Sequence, residues 1–221
     1  VAGIIDRAEA EMLVECGVDC LGFPFRLAKH QEDLPEDEAA QIIRAVPPHV
    51  MTLLITYLAD AEEIIGLSKK LGVSYVQLHG DVTVQELARL KALAPQLRVI
   101  KSLIVRTSNL AQLKDEVQAT APFVDSYITD TFDPATGATG ATGKTHDWAV
   151  SRGLVEFSPR PLILAGGLNP NNVRDAIHQV RPAGVDVHTG IEGPDGRKDR
   201  TLTQRFVANT RTAYAEIDQA I

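Results

Sequence analysis

The sequence contains few cysteines and no long apolar run. Its two cysteines, Cys16 and Cys20, have neither the spacing of a zinc site nor the number that a disulfide framework needs. We therefore expect a reduced, cytoplasmic protein with no metal site. No apolar run reaches the length of a membrane span, and no secretory signal opens the chain, so no membrane partner is expected.

Positive charge is also scarce. The chain has 22 Lys and Arg against 29 Asp and Glu, which gives a formal net charge of −7. A negative surface repels phosphate backbones, so no nucleic-acid partner is expected. Hydrophobic residues make up 44% of the 221 residues, enough for the core of one ordinary globular domain.

Strand-like apolar runs recur along the chain, and most are nearly continuous, as in parallel strands that are covered by helices. The eight predicted strands are Val1–Ile5, Cys20–Phe25, Thr52–Leu58, Tyr75–His79, Arg98–Val105, Val124–Asp130, Pro161–Ala165 and Gly184–His188. Since the first strand begins at the first residue, we expect that a few residues precede Val1 in the complete protein.

Helical patterns alternate with these strands. The predicted helices are Arg7–Cys16, Glu36–Ala45, Ala61–Leu71, Val84–Leu93, Leu110–Gln118, a short Trp148–Arg152, Asn171–Val180 and Thr201–Asp218. Several begin with capping signals. These signals are Asp6 with Glu9, Asp60 with Glu63, Thr83 with Glu86, the N-terminal Pro35, Asp147, and Asn169 with Pro170 at the first helical position.

Eight alternations of strand and helix predict an α/β protein whose residues 1–221 form a single (β/α)8 TIM barrel. An open, doubly wound parallel sheet is the alternative. The low-complexity segment Pro134–Gly143 follows a predicted strand. We expect it to be a mobile loop at the C-terminal rim of the barrel.

Two glycine-bearing turns follow the last two predicted strands. One runs from Leu162 through Gly166 and Gly167 to Pro170, and the other ends in Thr189 and Gly190. Glycine lets backbone N–H groups approach a ligand closely, and a helix N-terminus favours an anion. Turns at this place in a βα barrel commonly hold phosphate, although these glycines could also serve tight turns alone.

Several segments, in order and at matching intervals over nearly the whole chain, resemble the phosphoribosylanthranilate isomerase family of tryptophan biosynthesis. These segments are Val76–Gly80, Val99–Lys101, Asp130–Thr131, Gly140–Trp148, Ala165–Val173, Val185–Glu192 and Pro194–Asp199. The resemblance implies a phosphate-binding (β/α)8 barrel without a cofactor, occurring as a monomer or homodimer. It also implies an Amadori-type aldose–ketose isomerisation of a small phosphorylated sugar, N-(5-phosphoribosyl)anthranilate, in amino-acid biosynthesis.

The resemblance assigns most of the site residues. Asp130 falls at the position of the general acid, with loop or helix capping as the alternative. Asp186 falls at a substrate-contacting position, with a buried structural carboxylate as the alternative. His188 stands where the family usually has serine, so it is a candidate substrate contact. The phosphate-binding positions are Gly166, Gly167, Thr189 and Gly190.

Two departures from the family pattern bear on catalysis. The family opens with a Lys-x-Cys-Gly segment whose cysteine is the general base, and Ala2 stands at that position. Gln31 stands where an arginine usually binds the substrate carboxylate, which leaves Arg26 and Lys29 as candidate cations for substrate binding. His79 is a candidate substitute base, or a supporting residue, because imidazole titrates near neutral pH.

The sequence therefore leaves three functions open. The first is isomerisation of phosphoribosylanthranilate, which Asp130 and the glycine turns favour and Ala2 and Gln31 disfavour. The second is a divergent enzyme that acts on another phosphosugar with a changed specificity pocket. The third is a non-catalytic phosphosugar-binding protein, because barrels of this kind host many functions.

Overall fold

The computed structural model describes residues 1–27, 32–133, 138–139 and 145–219. The chain divides into two compact units, the first comprising Val1–Ser102 with Ala119–Ser126 and the second Leu103–Gln118 with Tyr127–Ile221. That the whole chain forms a single domain stays a prediction. No helix within the described ranges is both long and apolar enough to cross a membrane.

Strands of the first unit follow one another in chain order, all parallel and joined by helices. Its sheet contains β1 (Cys20–Phe25), β2 (Met51–Thr56), β3 (Tyr75–Leu78) and the start of β4 (Arg98–Val105). The helices of this part of the chain are α1 (Arg7–Glu15), α2 (Glu36–Ala45), α3 (Ala61–Leu71) and α4 (Val84–Leu93). This order is the parallel crossover pattern that α/β folds require.

The second unit continues the pattern. Its strands are β5 (Ser126–Asp133), β7 (Leu162–Leu164) and β8 (Gly184–Val185), which pair in parallel, and the short β6 (Ala138–Thr139), which pairs antiparallel with β5. The helices are α5 (Leu110–Thr120), α6 (Trp148–Phe157), α7 (Val173–Val180) and α8 (Arg200–Asp218), and a 3-10 turn, Thr189–Ile191, follows β8. Of the predicted loop Pro134–Gly143, only β6 lies within the described residues.

The core forms because the strands are apolar on both faces and the helices on one. In β1, Leu21, Phe23 and Phe25 are buried, and α3 buries Ile64 and Leu71. Burying a leucine or phenylalanine side chain contributes roughly 1.5 to 3 kcal/mol. Because these side chains fix the strands from both sides, residues at the strand ends are held in defined positions.

The predicted architecture is confirmed in its coarser form, an α/β fold of alternating helices and parallel strands. The predicted bounds of α2, α3, α4, β1 and β4 are those of the structure. Most other boundaries differ by one to three residues. Closure of eight strands into a barrel stays a prediction.

The predicted first strand, Val1–Ile5, is reduced to a single parallel bridge between Ala2 and Gly22. The Gly22 N–H donates to the Val1 carbonyl at 2.8 Å, and the Gly3 N–H donates to the Gly22 carbonyl at 3.1 Å. Gly3 has a φ of +77°, outside the extended region. The ladder therefore ends where the backbone turns at Gly3.

Two helix predictions in the second unit were wrong. Helix α6 does not end at Arg152 but continues to Phe157. The helix continues through Gly153. A Cβ at this position would lie 3.0 Å from the Leu110 side chain, so the glycine allows close packing between the two residues. Helix α7 begins at Val173 rather than Asn171, with Asn172 in the N-cap position.

Helix capping follows the sequence closely elsewhere. Asp6 accepts from the Glu9 N–H, Asp60 from those of Glu62 and Glu63, Thr83 from that of Glu86, and Asp147 from that of Ala149. The reciprocal half of the capping box is absent from α4. The Glu86 carboxylate instead accepts the Ala61 N–H at 2.9 Å and so caps the neighbouring helix α3.

Replacing Thr83 by alanine removes the oxygen that accepts the Glu86 N–H at 3.2 Å. We expect Thr83→Ala to lower the free energy of unfolding by about 1 kcal/mol, since the first turn of α4 loses its cap. Urea unfolding measures the change. Thr83→Ser keeps the hydroxyl and should stay close to the wild type; equal losses in the two variants would show that the hydroxyl is not the stabilising group.

Candidate active site

Asp130 lies in the last part of β5, next to Thr131. Its side chain is half-buried, and its Oδ1 accepts a 2.7 Å hydrogen bond from the Thr131 N–H. Thr129 and Thr131, on either side, are buried. Since side chains alternate along a strand, the carboxyl group points to the opposite face from these two threonines.

The environment of Asp130 favours its protonated form. Removal from water raises the pKa of its carboxyl to about 7, the Thr131 N–H opposes this shift, and the negative charge of Asp186 adds to it. A carboxyl group with a pKa near neutrality can give up and regain a proton at physiological pH. This titration behaviour is compatible with a role in proton transfer.

The turn after β7 presents backbone donors. Gly166 and Gly167 have φ values of +99° and +63°, conformations that side chains rarely adopt. Both residues are partly accessible. Their N–H groups donate to no acceptor in the described part of the chain. Successive N–H groups of this kind form a concave site for an anion.

Two asparagines hold this turn in place. The Asn172 side chain accepts from the Asn169 N–H at 2.8 Å and donates to the Gly167 carbonyl at 3.0 Å. The Asn169 side chain accepts from the Asn171 N–H at 2.9 Å. Asn169 therefore forms a local turn instead of capping α7, which explains why this helix starts later than predicted.

The turn after β8 packs directly on the turn after β7. A Cβ at Gly190 would lie 1.8 Å from the Leu168 carbonyl oxygen and 3.0 Å from the Asn169 Cβ. Only glycine fits this contact, so the two glycine-bearing turns are neighbours in space. Thr189, beside Gly190, is exposed.

His188, which precedes this second turn, lies next to a buried ion pair. Its Nε2 lies 3.4 Å from Glu192 Oε1, which also accepts a 2.6 Å bond from Lys198 Nζ. The Lys198 side chain is 2% exposed, so this ion pair is largely shielded from water. Asp186, on the same stretch of chain, is half-buried, and its N–H donates to the Leu164 carbonyl at 2.9 Å.

A second polar cluster lies next to Gly166. Thr131 Oγ1 is 3.1 Å from His146 Nδ1, and His146 Nε2 is 2.6 Å from Ser151 Oγ. A Cβ at Gly166 would approach Thr131 Oγ1 to 2.2 Å and His146 Nδ1 to 3.1 Å. Burial lowers the pKa of His146 to about 4, with an opposing effect from Asp147, so this imidazole is neutral at pH 7.

In the first unit, His79 directly follows β3 and is half-buried. Its Nδ1 lies 2.9 Å from Ser102 Oγ, which also accepts from the Gln77 amide at 3.3 Å. The Tyr57 ring meets the imidazole edge-to-face, with the ring centroids 4.8 Å apart. The hydroxyl and the ring together fix the orientation of the imidazole.

Four predicted site residues of the first unit relate to the departures from the family pattern. Ala2 pairs with β1 and presents only a methyl group. Arg26 forms ion pairs with Glu36 and, at 3.8 Å, with Glu32. A substrate carboxylate would have to compete with both. Lys29 and Gln31 lie outside the described residues.

The sequence analysis did not assign four residues that shape the site. Thr131 and His146 fell within segments of the family resemblance but received no role, and Ser151 gave no signal beyond an ordinary hydroxyl residue. The contacts of Thr131 and Ser151 with His146 span 15 and 5 positions. Asn172 was visible in the asparagine-rich segment after Pro170, but its role depends on how that segment folds.

Parallel strands alternate with helices, and two adjoining glycine turns lie in the same unit as a carboxyl group whose pKa is raised to about 7. These features define the chain as an α/β protein with a candidate anion site. A family model described as N-(5'-phosphoribosyl)anthranilate (PRA) isomerase matches residues 2–209. The chain belongs to this family, which confirms the resemblance noted in the sequence.

Curated relatives agree with this assignment. N-(5'-phosphoribosyl)anthranilate isomerase 2 of Methanosarcina mazei is 38% identical over 221 residues, covering 98% of this chain and 95% of the relative. The corresponding isomerase of Haloferax volcanii is 34% identical over 219 residues, covering 99% and 95%. Matches over nearly the full length of both proteins show that the isomerase-like interpretation of the sequence is correct at the family level.

Solved structures give the same result for the fold. Phosphoribosylanthranilate isomerase from Thermotoga maritima has a TM-score of 0.81 and 30% identity, with 96% of this chain and 97% of that chain covered. A phosphoribosylanthranilate isomerase in complex with reduced 1-(o-carboxyphenylamino)-1-deoxyribulose 5-phosphate has a TM-score of 0.78 and 28% identity, covering 96% of both chains.

The raised pKa of Asp130 predicts a pH-dependent gain in stability for Asp130→Asn. Below the unfolded pKa of about 4, the carboxyl is protonated in both states and the variant gains nothing. As the pH rises towards 7, the folded protein retains a proton that the unfolded chain releases, so the wild type loses stability. At pH 8 we expect the variant to be more stable by on the order of 1 to 2 kcal/mol, discounted because Asp130 is partly accessible.

Urea unfolding at pH 4, 6 and 8 measures this difference. His146 titrates in both proteins, so its contribution cancels in the comparison. Asp115→Asn, at an exposed position of α5, serves as the control and should show no such trend. If the difference in free energy of unfolding between Asp130→Asn and the wild type stays constant from pH 4 to pH 8, the raised pKa of Asp130 is contradicted.

Proposed function

We propose that the chain catalyses the aldose–ketose isomerisation of a phosphorylated aminosugar, with N-(5'-phosphoribosyl)anthranilate as its substrate. The observation that carries the proposal is Asp130, whose carboxyl has its pKa raised to about 7 and lies in the same unit as the paired glycine turns. Family membership supports the reaction type.

In this reaction Asp130 gives its proton to the ring oxygen of the ribose as the bond between this oxygen and C1 breaks. The amino nitrogen supplies the electron pair and becomes an iminium group. A base then removes the proton from C2 to give an enolamine. The enolamine takes up a proton at C1 and releases the proton of its C2 hydroxyl to become the ketone. Because the ring oxygen leaves as a hydroxyl group, a carboxyl with a pKa near 7 is suited to the first step.

The phosphate of the substrate is proposed to bind at the two glycine turns. The N–H groups of Gly166 and Gly167 are directed to no acceptor in the described segments, and Thr189 adds an exposed hydroxyl nearby. Gly190 belongs to the same site because it packs against Leu168. Asp186 and His188 are proposed as further substrate contacts. A neutral Asp130 avoids charge repulsion with a bound dianion.

The general base is proposed to differ from that of the family. A methyl group at Ala2 accepts no proton, and His79, with its Nδ1 beside Ser102, is the proposed replacement. A divergent enzyme that acts on another phosphosugar is the second candidate function. The ion pairs of Arg26 with Glu32 and Glu36 favour it, because they weaken this arginine as a partner for an anthranilate carboxylate.

The remaining features of the proposal follow the family. We propose a cytoplasmic enzyme that requires no cofactor and occurs as a monomer or homodimer. A related isomerase from Thermotoga maritima is described as dimeric.

Asp130→Asn should reduce turnover of N-(5'-phosphoribosyl)anthranilate by about two to four orders of magnitude, because the amide has no acidic proton to give. Affinity for the reduced product analogue should change little, since the amide is neutral like the protonated acid. Fluorescence assays of turnover and calorimetric titration of the analogue measure the two effects.

Asp115→Asn is the matched control and should retain full turnover. Undiminished turnover in Asp130→Asn would remove Asp130 from the mechanism. If the wild type binds the analogue but does not turn over the substrate, the chain is a binding protein or acts on another phosphosugar.

Ala2→Cys should raise turnover by roughly two orders of magnitude or more if the missing thiolate alone limits the rate. Ala2→Ser is the control, because a serine hydroxyl has similar size but is not ionised near neutral pH. Initial rates at saturating substrate decide the outcome. If Cys and Ser give the same rate as Ala, position 2 does not supply the base in this chain.

A further inference from the structure

A half-buried imidazole lies between two hydroxyl groups in the second unit. We call Thr131, His146 and Ser151 the hydroxyl–imidazole chain. Thr131 and Ser151 are 4% and 0% exposed. The distances from the His146 nitrogens to the two hydroxyl oxygens are 3.1 Å and 2.6 Å. Each hydroxyl can donate or accept, so a neutral imidazole is satisfied in either tautomer.

The chain connects to Asp130 through Thr131. The Thr131 side chain binds the imidazole, while the N–H of the same residue donates to Asp130 Oδ1 at 2.7 Å. Loss of the imidazole contact would release the Thr131 side chain, and a resulting shift of the Thr131 backbone would weaken the bond to Asp130. Since the Thr131 N–H stabilises the carboxylate, its loss would raise the pKa of Asp130 further.

The chain also lies against the first glycine turn. Thr131 Oγ1 and His146 Nδ1 occupy the space that a Cβ of Gly166 would fill. The backbone of Gly166 therefore lies against the side chain of Thr131, the residue whose backbone N–H donates to Asp130. Three parts of the site meet at this contact: the end of β5, the turn after β7 and the start of α6.

We propose that His146 is a positioning residue that, through Thr131, fixes both the carboxyl group of Asp130 and the backbone donors of the Gly166–Gly167 turn. The role in catalysis rests on the function proposed above, whereas the effects on Asp130 and on anion binding do not. The alternative is that His146 only anchors α6 by its bond to Ser151.

Two variants of His146 distinguish the hydrogen bond at Nδ1 from the hydrogen bond at Nε2. The amide of Asn reaches the place of Nδ1, so His146→Asn keeps the contact with Thr131 and loses the one with Ser151. The amide of Gln reaches the place of Nε2, so His146→Gln keeps Ser151 and loses Thr131. Ser151→Ala provides a second variant that breaks only the contact with α6.

Positioning through Thr131 predicts different results for these variants. His146→Gln should lower kcat about tenfold, because one neutral hydrogen bond in the site is lost. It should raise the pKa of Asp130, followed by carbon-13 NMR of the carboxyl, by about one unit. It should weaken binding of inorganic phosphate about fivefold. His146→Asn and Ser151→Ala should stay close to the wild type in all three measurements, although both lose stability.

The proposal is overturned if His146→Gln leaves the pKa of Asp130 unchanged, or if His146→Asn, Ser151→Ala and His146→Gln alter it equally. The NMR titration needs no turnover and no bound ligand. It decides the positioning role even if the wild type proves inactive on N-(5'-phosphoribosyl)anthranilate. Such inactivity would count against the proposed function alone. Unfolding by urea confirms that each variant is folded under the conditions of the titration.

Discussion

The candidate site depends on a carboxyl group that is held partly out of water at the end of β5. Burial raises the pKa of Asp130 to about 7, so keeping this group in place costs folding free energy that grows as the pH rises from about 4 towards 7. The surrounding structure offsets this cost through the buried threonines beside Asp130 and the packing of the strand between its neighbours. Catalytic groups are commonly held in such destabilising positions by a rigid scaffold.

Much of the fold could be predicted from the sequence because its signals are local. Continuous apolar runs and capping residues gave the bounds of β1, α3 and α4 correctly. The errors have local causes that a pattern does not reveal. Gly3 turns the backbone and ends the first strand, and Asn169 hydrogen-bonds to its own neighbours instead of starting a helix. In each case a side-chain or backbone preference competed with the regular element.

Single site residues that belong to a motif could be predicted from the sequence. Contacts between two residues that are distant in the sequence could not. Asp130 could be picked out by its place at the end of a strand, and its raised pKa agrees with the predicted role. The contact of Thr131 with His146 joins positions that are 15 residues apart, and no periodicity encodes it. Arg26 is a further example, because the sequence showed its charge but not its ion pair with Glu36.

A protonated carboxyl serves both binding and catalysis, and the two uses differ in what happens to the proton. For binding an anionic sugar phosphate, an uncharged group is sufficient, and an amide would serve as well as Asp130. A pKa near 7 gives no further benefit to binding, whereas it allows the proton to leave and return during ring opening. Ring opening also precedes removal of the C2 proton, so the substitution at Ala2 affects only the later step. The acid is therefore useful to an isomerase even where the base is weak, which favours an enzyme over a binding protein.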